Sequence, residues 1–190
     1  RNTMPGGRPL TQLEFALQAV DLMRALHDQA HVIHLDLRRD NFIIGEQGVG
    51  FIDFGSAVRI GEDLSKSELL MQMFEQVMTT SQIQKTLGKM TQNGQVTSKV
   101  LQSGYRRVDK AVDLFFVALQ INTPLKNPDF RFLVKTKEDS PAAGLISELT
   151  GEIFRPKDPH NPPFKTASDI FKGLKMIEDH LSKNGAVARH

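Results

Sequence analysis

The chain has 190 residues, 39% of them hydrophobic, and no cysteine, which allows one well-packed domain and excludes disulfides and thiolate metal sites. Its 24 basic and 22 acidic residues leave a formal net charge of only +2, too weak for the basic, aromatic-studded surface of a nucleic-acid binder. No apolar run reaches the length of a membrane span, and "RNTMPGGRPL" lacks the apolar core of a signal peptide, so a cytoplasmic setting is expected.

Residues 1–9 are rich in Pro and Gly and read as an extended lead-in. A helix is predicted over 11–30. Thr11 followed three residues later by Glu14 fits a capping box, and Leu13, Ala16, Leu17, Val20, Met23 and Leu26 recur at helical spacing. "VIHLD" and "NFII" are short β-rich segments, "GEQG" punctuates the chain, and "VGFIDF" is a third. Residues 42–54 therefore read as a hairpin with a loop of about four residues. The glycines of "GEQGVG" superficially suggest a phosphate cradle, but no helix follows them directly and the hairpin explains them.

Helical patterning returns after residue 64 with "KSELLMQMFEQVM" and a second short helix near "SQIQKTLGKM". "RVDKAVDLFFVALQI", from about 108 to 121, is the most apolar helical run and is expected at the centre of the core. Residues 122–168 look like loops with one short helix near "AAGLISELT", and "SDIFKGLKMIEDHLS" is an amphipathic helix before a fraying tail at 183–190. The whole chain reads as one mainly helical domain with a small β element. Basic pairs occur at Arg38-Arg39 and Arg106-Arg107 without a long basic stripe, and Arg106-Arg107 and Lys126 could attract an acidic group but are best read as solvated.

The polar residues of interest crowd the β element. His34, Asp36, Asn41 and Asp53 fall at strand ends and in the tight loop between them, and a hairpin brings its two ends, at Asn41 and Asp53, side by side. One carboxylate and one amide oxygen facing the same space make a hard, oxygen-only site suited to Mg²⁺. Asp36 nearby is a carboxylate able to take a proton from an attacking hydroxyl. Together these are the parts that phosphoryl transfer requires. His27 and His31 have no partner pattern and are read as structural or surface residues.

"HLDLRRDN" followed by "IDFG" resembles the catalytic loop and metal-binding motif of the protein-kinase-like superfamily. The resemblance implies a kinase C-lobe: helical, with a β-hairpin carrying both loops. It implies Asp36 as catalytic base, and Arg38 as the cation that contacts the transferred phosphate. Asn41 and Asp53 are implied as the Mg²⁺ ligands that hold ATP. His34 would orient the loop, Phe54 would pack against helices, Gly55 would provide the backbone turn, and Asp113 would brace the catalytic loop. The resemblance also implies function: ATP- and Mg²⁺-dependent phosphotransfer to a hydroxyl, as in a Ser/Thr protein kinase. Small-molecule kinases of the aminoglycoside and choline type share the H-x-D-x-x-x-x-N and I-D-F pattern, and a pseudokinase-like binding module would keep the fold without catalysis.

The chain departs from the pattern at several points. Leu35 stands where such kinases carry the Arg that reads activation-loop phosphorylation, and no A-P-E follows "DFG". The stretch from Asp53 to Asp113 is long, so residues 64–104 are expected to hold a helical insertion, with 64–90 a candidate partner surface. No glycine-rich loop and no strand Lys precede the cluster. The N-lobe is therefore expected to be missing from this sequence, and the chain alone to transfer phosphate poorly.

Overall fold

The computed structural model describes residues 10–45, 47–62, 110–122, 141–154, 157 and 163–184. Those residues form a mainly helical fold with two small antiparallel two-stranded sheets. The expected insertion at 64–104, the partner surface at 64–90, the lead-in at 1–9, Arg106-Arg107, Lys126 and all but the first two residues of the tail lie outside them.

Helix α1 runs from Gln12 to Arg24, and its start is the predicted one. The Thr11 hydroxyl accepts from the Glu14 amide at 3.2 Å while the Glu14 carboxylate accepts from the Thr11 amide at 2.8 Å. Two amides that have no partner within the helix are satisfied by this exchange. The apolar face Leu13, Ala16, Leu17, Val20 and Met23 is buried, together with Phe15 and Ala19. Each large side chain buried there contributes about 1.5–3 kcal/mol of transfer free energy.

Beyond Arg24 the helix widens into a π turn, Ala25–Gln29, closed by the Ala30 amide on the Ala25 carbonyl at 3.1 Å. Leu26 is only half-buried, and His27 is fully buried on the line that continues from Met23. A face drawn through Leu26 at three-residue spacing misses this.

The remaining α-helices among the described residues are α2 (Ala111–Asn122), α3 (Pro141–Phe154) and α4 (Ala167–Lys183). Helix α1 packs on all three, α2 packs on α3, and α3 packs on α4. As the apolar run predicts, α2 is central: Leu114, Phe116, Val117, Ala118 and Ile121 are all buried. Helix α3 is longer than the short helix expected around 142–150. Helix α4 begins at a second capping box, Thr166 with Asp169, one turn position earlier than "SDIF" suggests. Desolvation raises the pKa of the Asp169 carboxyl, but bonds from the Thr166 hydroxyl and the Lys165 and Thr166 amides outweigh it and hold it below the ordinary carboxylate range.

Strands β2 (Phe42–Gly45) and β3 (Gly48–Phe51) form the predicted hairpin, in register Phe42↔Phe51 to Gly45↔Gly48. Because Gly45 pairs with Gly48, the connection is shorter than the four residues expected. Gly48 has φ +105° and lies so close to α1 that a Cβ there would meet Gln18 Oε1 at 2.5 Å. The same Gln18 oxygen accepts from the Val49 amide at 3.0 Å. Phe42 stacks between Phe15 of α1 (5.8 Å) and Phe51 (5.0 Å). These contacts seat the hairpin on α1. Strands β1 (Val32–Ile33) and β4 (Val58–Arg59) pair antiparallel and close the segment that carries the polar cluster. No helix among the described residues is long and apolar enough to cross a membrane.

Candidate functional site

The segment after β1 turns sharply. Leu35 has φ +65°, a left-handed conformation that a bulky side chain adopts only under constraint. The constraint is Asp113, on the first turn of α2 and fully buried. Its Oδ2 accepts from the His34 amide at 2.7 Å, and its Oδ1 accepts from the Leu35 amide at 2.9 Å. A third donor, His27 Nε2, reaches Oδ2 at 2.9 Å. The Leu35 side chain is itself buried in the core, so apolar burial helps to offset the backbone strain.

Asp36 follows directly. Its Oδ2 accepts from Asn41 Nδ2 at 2.9 Å and from Arg38 Nε at 3.2 Å, and its backbone carbonyl accepts from Asn41 Nδ2 at 2.7 Å. Both side-chain bonds fall on Oδ2, which leaves Oδ1 as the atom able to take a proton. Asn41 is buried and ends the 3₁₀ turn Arg39–Asn41. With Nδ2 spent on Asp36, its Oδ1 is the oxygen it can offer a hard cation. Arg38 is mostly exposed, at 57% of its side-chain surface, so its charge is available to a ligand.

Asn41 also joins this loop to the second one. Its carbonyl accepts from the Ile52 amide at 3.0 Å, one residue before Asp53. The Ile52 carbonyl in turn accepts from His34 Nε2 at 3.1 Å. A carbonyl cannot donate, so His34 carries its hydrogen on Nε2, and its Nδ1 is buried without a partner. The fold thus brings Asp36 and Asn41 into direct contact, and Asp53 follows Ile52, whose amide bonds Asn41.

Asp53 itself is exposed and has φ +61°. The left-handed residue of this turn is Asp53. An Asp tolerates that conformation when its carboxylate bonds a nearby amide, and here Oδ1 accepts from the Gly55 amide at a long 3.4 Å. Phe54, expected to pack against helices, has its ring contact among the described residues with His34, at 4.6 Å, and is 47% exposed. Ile43 and Ile52 are comparably exposed, so apolar surface borders Asp53.

Asp53 and Asn41 offer one carboxylate and one amide oxygen, a hard donor set that fits Mg²⁺ if waters and phosphate oxygens complete the shell. Among the described residues no group of three or more His, Asp or Glu could hold a metal ion by itself. His27, His31 and His34 accordingly form no metal site: His31 is exposed, and the other two are engaged as described.

His27 is the residue that sequence reasoning missed. Its partner lies 86 positions away, so no local pattern points to it. Its four-residue spacing from buried Met23 is the only hint. Comparison with known proteins leaves the assignment to this geometry: no protein-family model matches the chain, and no curated protein matches it.

Proposed function

We propose that this chain carries the catalytic half of an ATP- and Mg²⁺-dependent phosphotransferase with a protein-kinase-like C-lobe. It acts on a hydroxyl, as a Ser/Thr protein kinase does, once a nucleotide-binding N-lobe is supplied. The observation that carries this proposal is the double engagement of Asn41: its side chain grips Asp36 while its backbone pairs with Ile52 beside Asp53. One residue thereby couples a candidate base to a candidate metal carboxylate, at the motif spacing that phosphoryl transfer uses.

In this mechanism Asp36 Oδ1 accepts the proton of the attacking hydroxyl, and Asn41 and Arg38 hold the carboxylate in place through Oδ2. Arg38 offers its exposed guanidinium to the phosphoryl oxygens. Asp53 and Asn41 hold the cation, which when bound neutralises charge on the nucleotide phosphates. Exposed Ile43, Ile52 and Phe54 offer apolar surface to a nucleobase or to a nucleotide-binding lobe.

One observation favours a small-molecule acceptor as the second reading. Leu35 is 3% exposed and packs in the core, so the catalytic loop has no cation there to read a phosphorylated activation segment.

The test is phosphotransfer by the native protein isolated from its source, with ATP and Mg²⁺, against protein and small alcohol acceptors. Asp36→Asn and Asp53→Asn are each expected to lower turnover by about a hundredfold or more. Turnover that survives both substitutions, or a native protein that transfers nothing to either acceptor class, contradicts the proposal.

A further inference from the structure

Helix α4 packs on α1 and α3 and turns Ile170, Leu174, Ile177 and Leu181 into the core. Helical geometry puts Lys172, Met176, Asp179 and Lys183 on the side directly opposite those four, and all of them are exposed. Half-buried Asp169 continues the same stripe at the N-terminal end. Met176 is 71% exposed, more than any other large apolar side chain among the described residues. A single surface methionine is ordinary. The order of charges around this one is what points to an occupant.

Toward the C-terminus the stripe runs acid, base, methionine, acid, base: Asp169, Lys172, Met176, Asp179, Lys183. Its charges are spaced almost evenly about Met176, with Asp169 and Lys183 seven residues to either side, Lys172 four before and Asp179 three after. In the reverse direction the same stripe runs base, acid, methionine, base, acid. An antiparallel copy of α4 therefore sets a base opposite every acid, and Met176 opposite Met176. A parallel copy would set like charges together, which costs stability. These charges are also not used up within the helix. Lys175 and Glu178 on the flank pair with each other at 2.7 Å, but among the described residues no ion pair joins Asp179 to Lys183, or either of them to Lys172.

We propose that the outer face of α4 is a self-association surface: a second copy of this chain docks there, the two α4 helices lying antiparallel about a twofold axis at Met176. Lys172 of each copy faces Asp179 of the other, and Lys183 of each faces Asp169 of the other. Such a twofold contact is self-complementary and closes at two copies. Met176 supplies an unbranched, adaptable apolar centre. One helix per copy is a small contact and exposed ion pairs add little each, so the dimer is weak, half-formed at about 100 µM. The pairing is independent of the phosphotransfer reading.

Sedimentation velocity of the 190-residue chain from about 10 to about 500 µM should show the average mass rising from one chain toward two. K172D and D179K each place like charges across the axis and should weaken association at least about fivefold, and the double swap K172D/D179K should return it to within about twofold of the parent. A parent that stays monomeric throughout overturns the proposal. Association unchanged by either single swap means that another face pairs, and overturns it too, as does a double swap no better than the single ones. Dilution of the ¹⁵N-labelled parent gives a second reading that needs no variant. Amide shifts confined to residues 169–183 are expected, and shifts only elsewhere, or none, overturn the proposal.

Discussion

Asp36 follows β1 and Asp53 follows β3, strands of two different sheets, and the fold treats the two carboxylates differently. Around Asp36 the backbone is strained at Leu35 and held there by a buried carboxylate, and the side chain accepts from Asn41 and Arg38. Around Asp53 the backbone is strained just as far from the common region, but the carboxylate is exposed and rests on one long bond to the Gly55 amide. The protein supplies everything the first loop needs. It leaves the second with unspent oxygens, which is what a carboxylate requires if a ligand is to complete its shell.

The substitution that should collapse this contrast most is Asp113→Asn. Its amide group would face donors on every side, and we expect a loss of about 3 kcal/mol in denaturant unfolding, because buried donors would lose their acceptor. Equal stability would mean that the loop at 34–41 does not depend on α2. Gly48→Ala attacks the hairpin that both loops share. With φ +105° and a Cβ aimed at Gln18 Oε1, it should cost about 1–3 kcal/mol. The companion Gln18→Ala removes the clash partner and should recover part of that loss in the same assay, which shows whether the seat on α1 or the φ angle dominates.

The scaffold was more legible in the sequence than the site. Thr11-x-x-Glu14 and the apolar spacing after it specify α1 locally, and the glycines around 45–50 specify the hairpin. Asp36, Asn41 and Asp53 were legible as a set because their spacing matches one motif pair. What was not legible is long-range or too short to pattern. Strand β1 falls within the predicted "VIHLD" segment, but its partner β4 has two residues and exists because it pairs with β1. The π turn and the His27–Asp113 contact depend on α2 docking against α1. The cap at Thr166 was legible in principle, since Thr-x-x-Asp precedes an amphipathic run, but Ser168 inside it offered a competing start.

That cap provides a smaller prediction, and a control for the comparison because α4 carries neither loop. Thr166→Ala should cost about 1 kcal/mol. Asp169 has a lowered pKa in the folded chain, so its contribution is full above the ordinary carboxylate pKa of about 4 and is lost as pH falls through the lower folded value. Asp169→Asn should therefore flatten the acid side of the stability–pH profile while leaving neutral-pH amide exchange in both loops unchanged. Altered exchange in one loop alone would show that the two are not equally remote from α4. The smallest expected stability change belongs to Asp53→Asn. An exposed side chain with one long bond should shift unfolding by less than about 0.5 kcal/mol.

That near-silence makes Asp53→Asn the sharpest probe of the central claim. We would record amide shifts of the chain titrated with ATP, with and without Mg²⁺, in the parent and in Asp53→Asn. The account predicts Mg²⁺-dependent shifts confined to residues 36–41 and 52–55 in the parent, and their loss in the variant with its fold intact. Shifts that persist in Asp53→Asn, or that fall elsewhere, or a parent that does not respond at all, would contradict it.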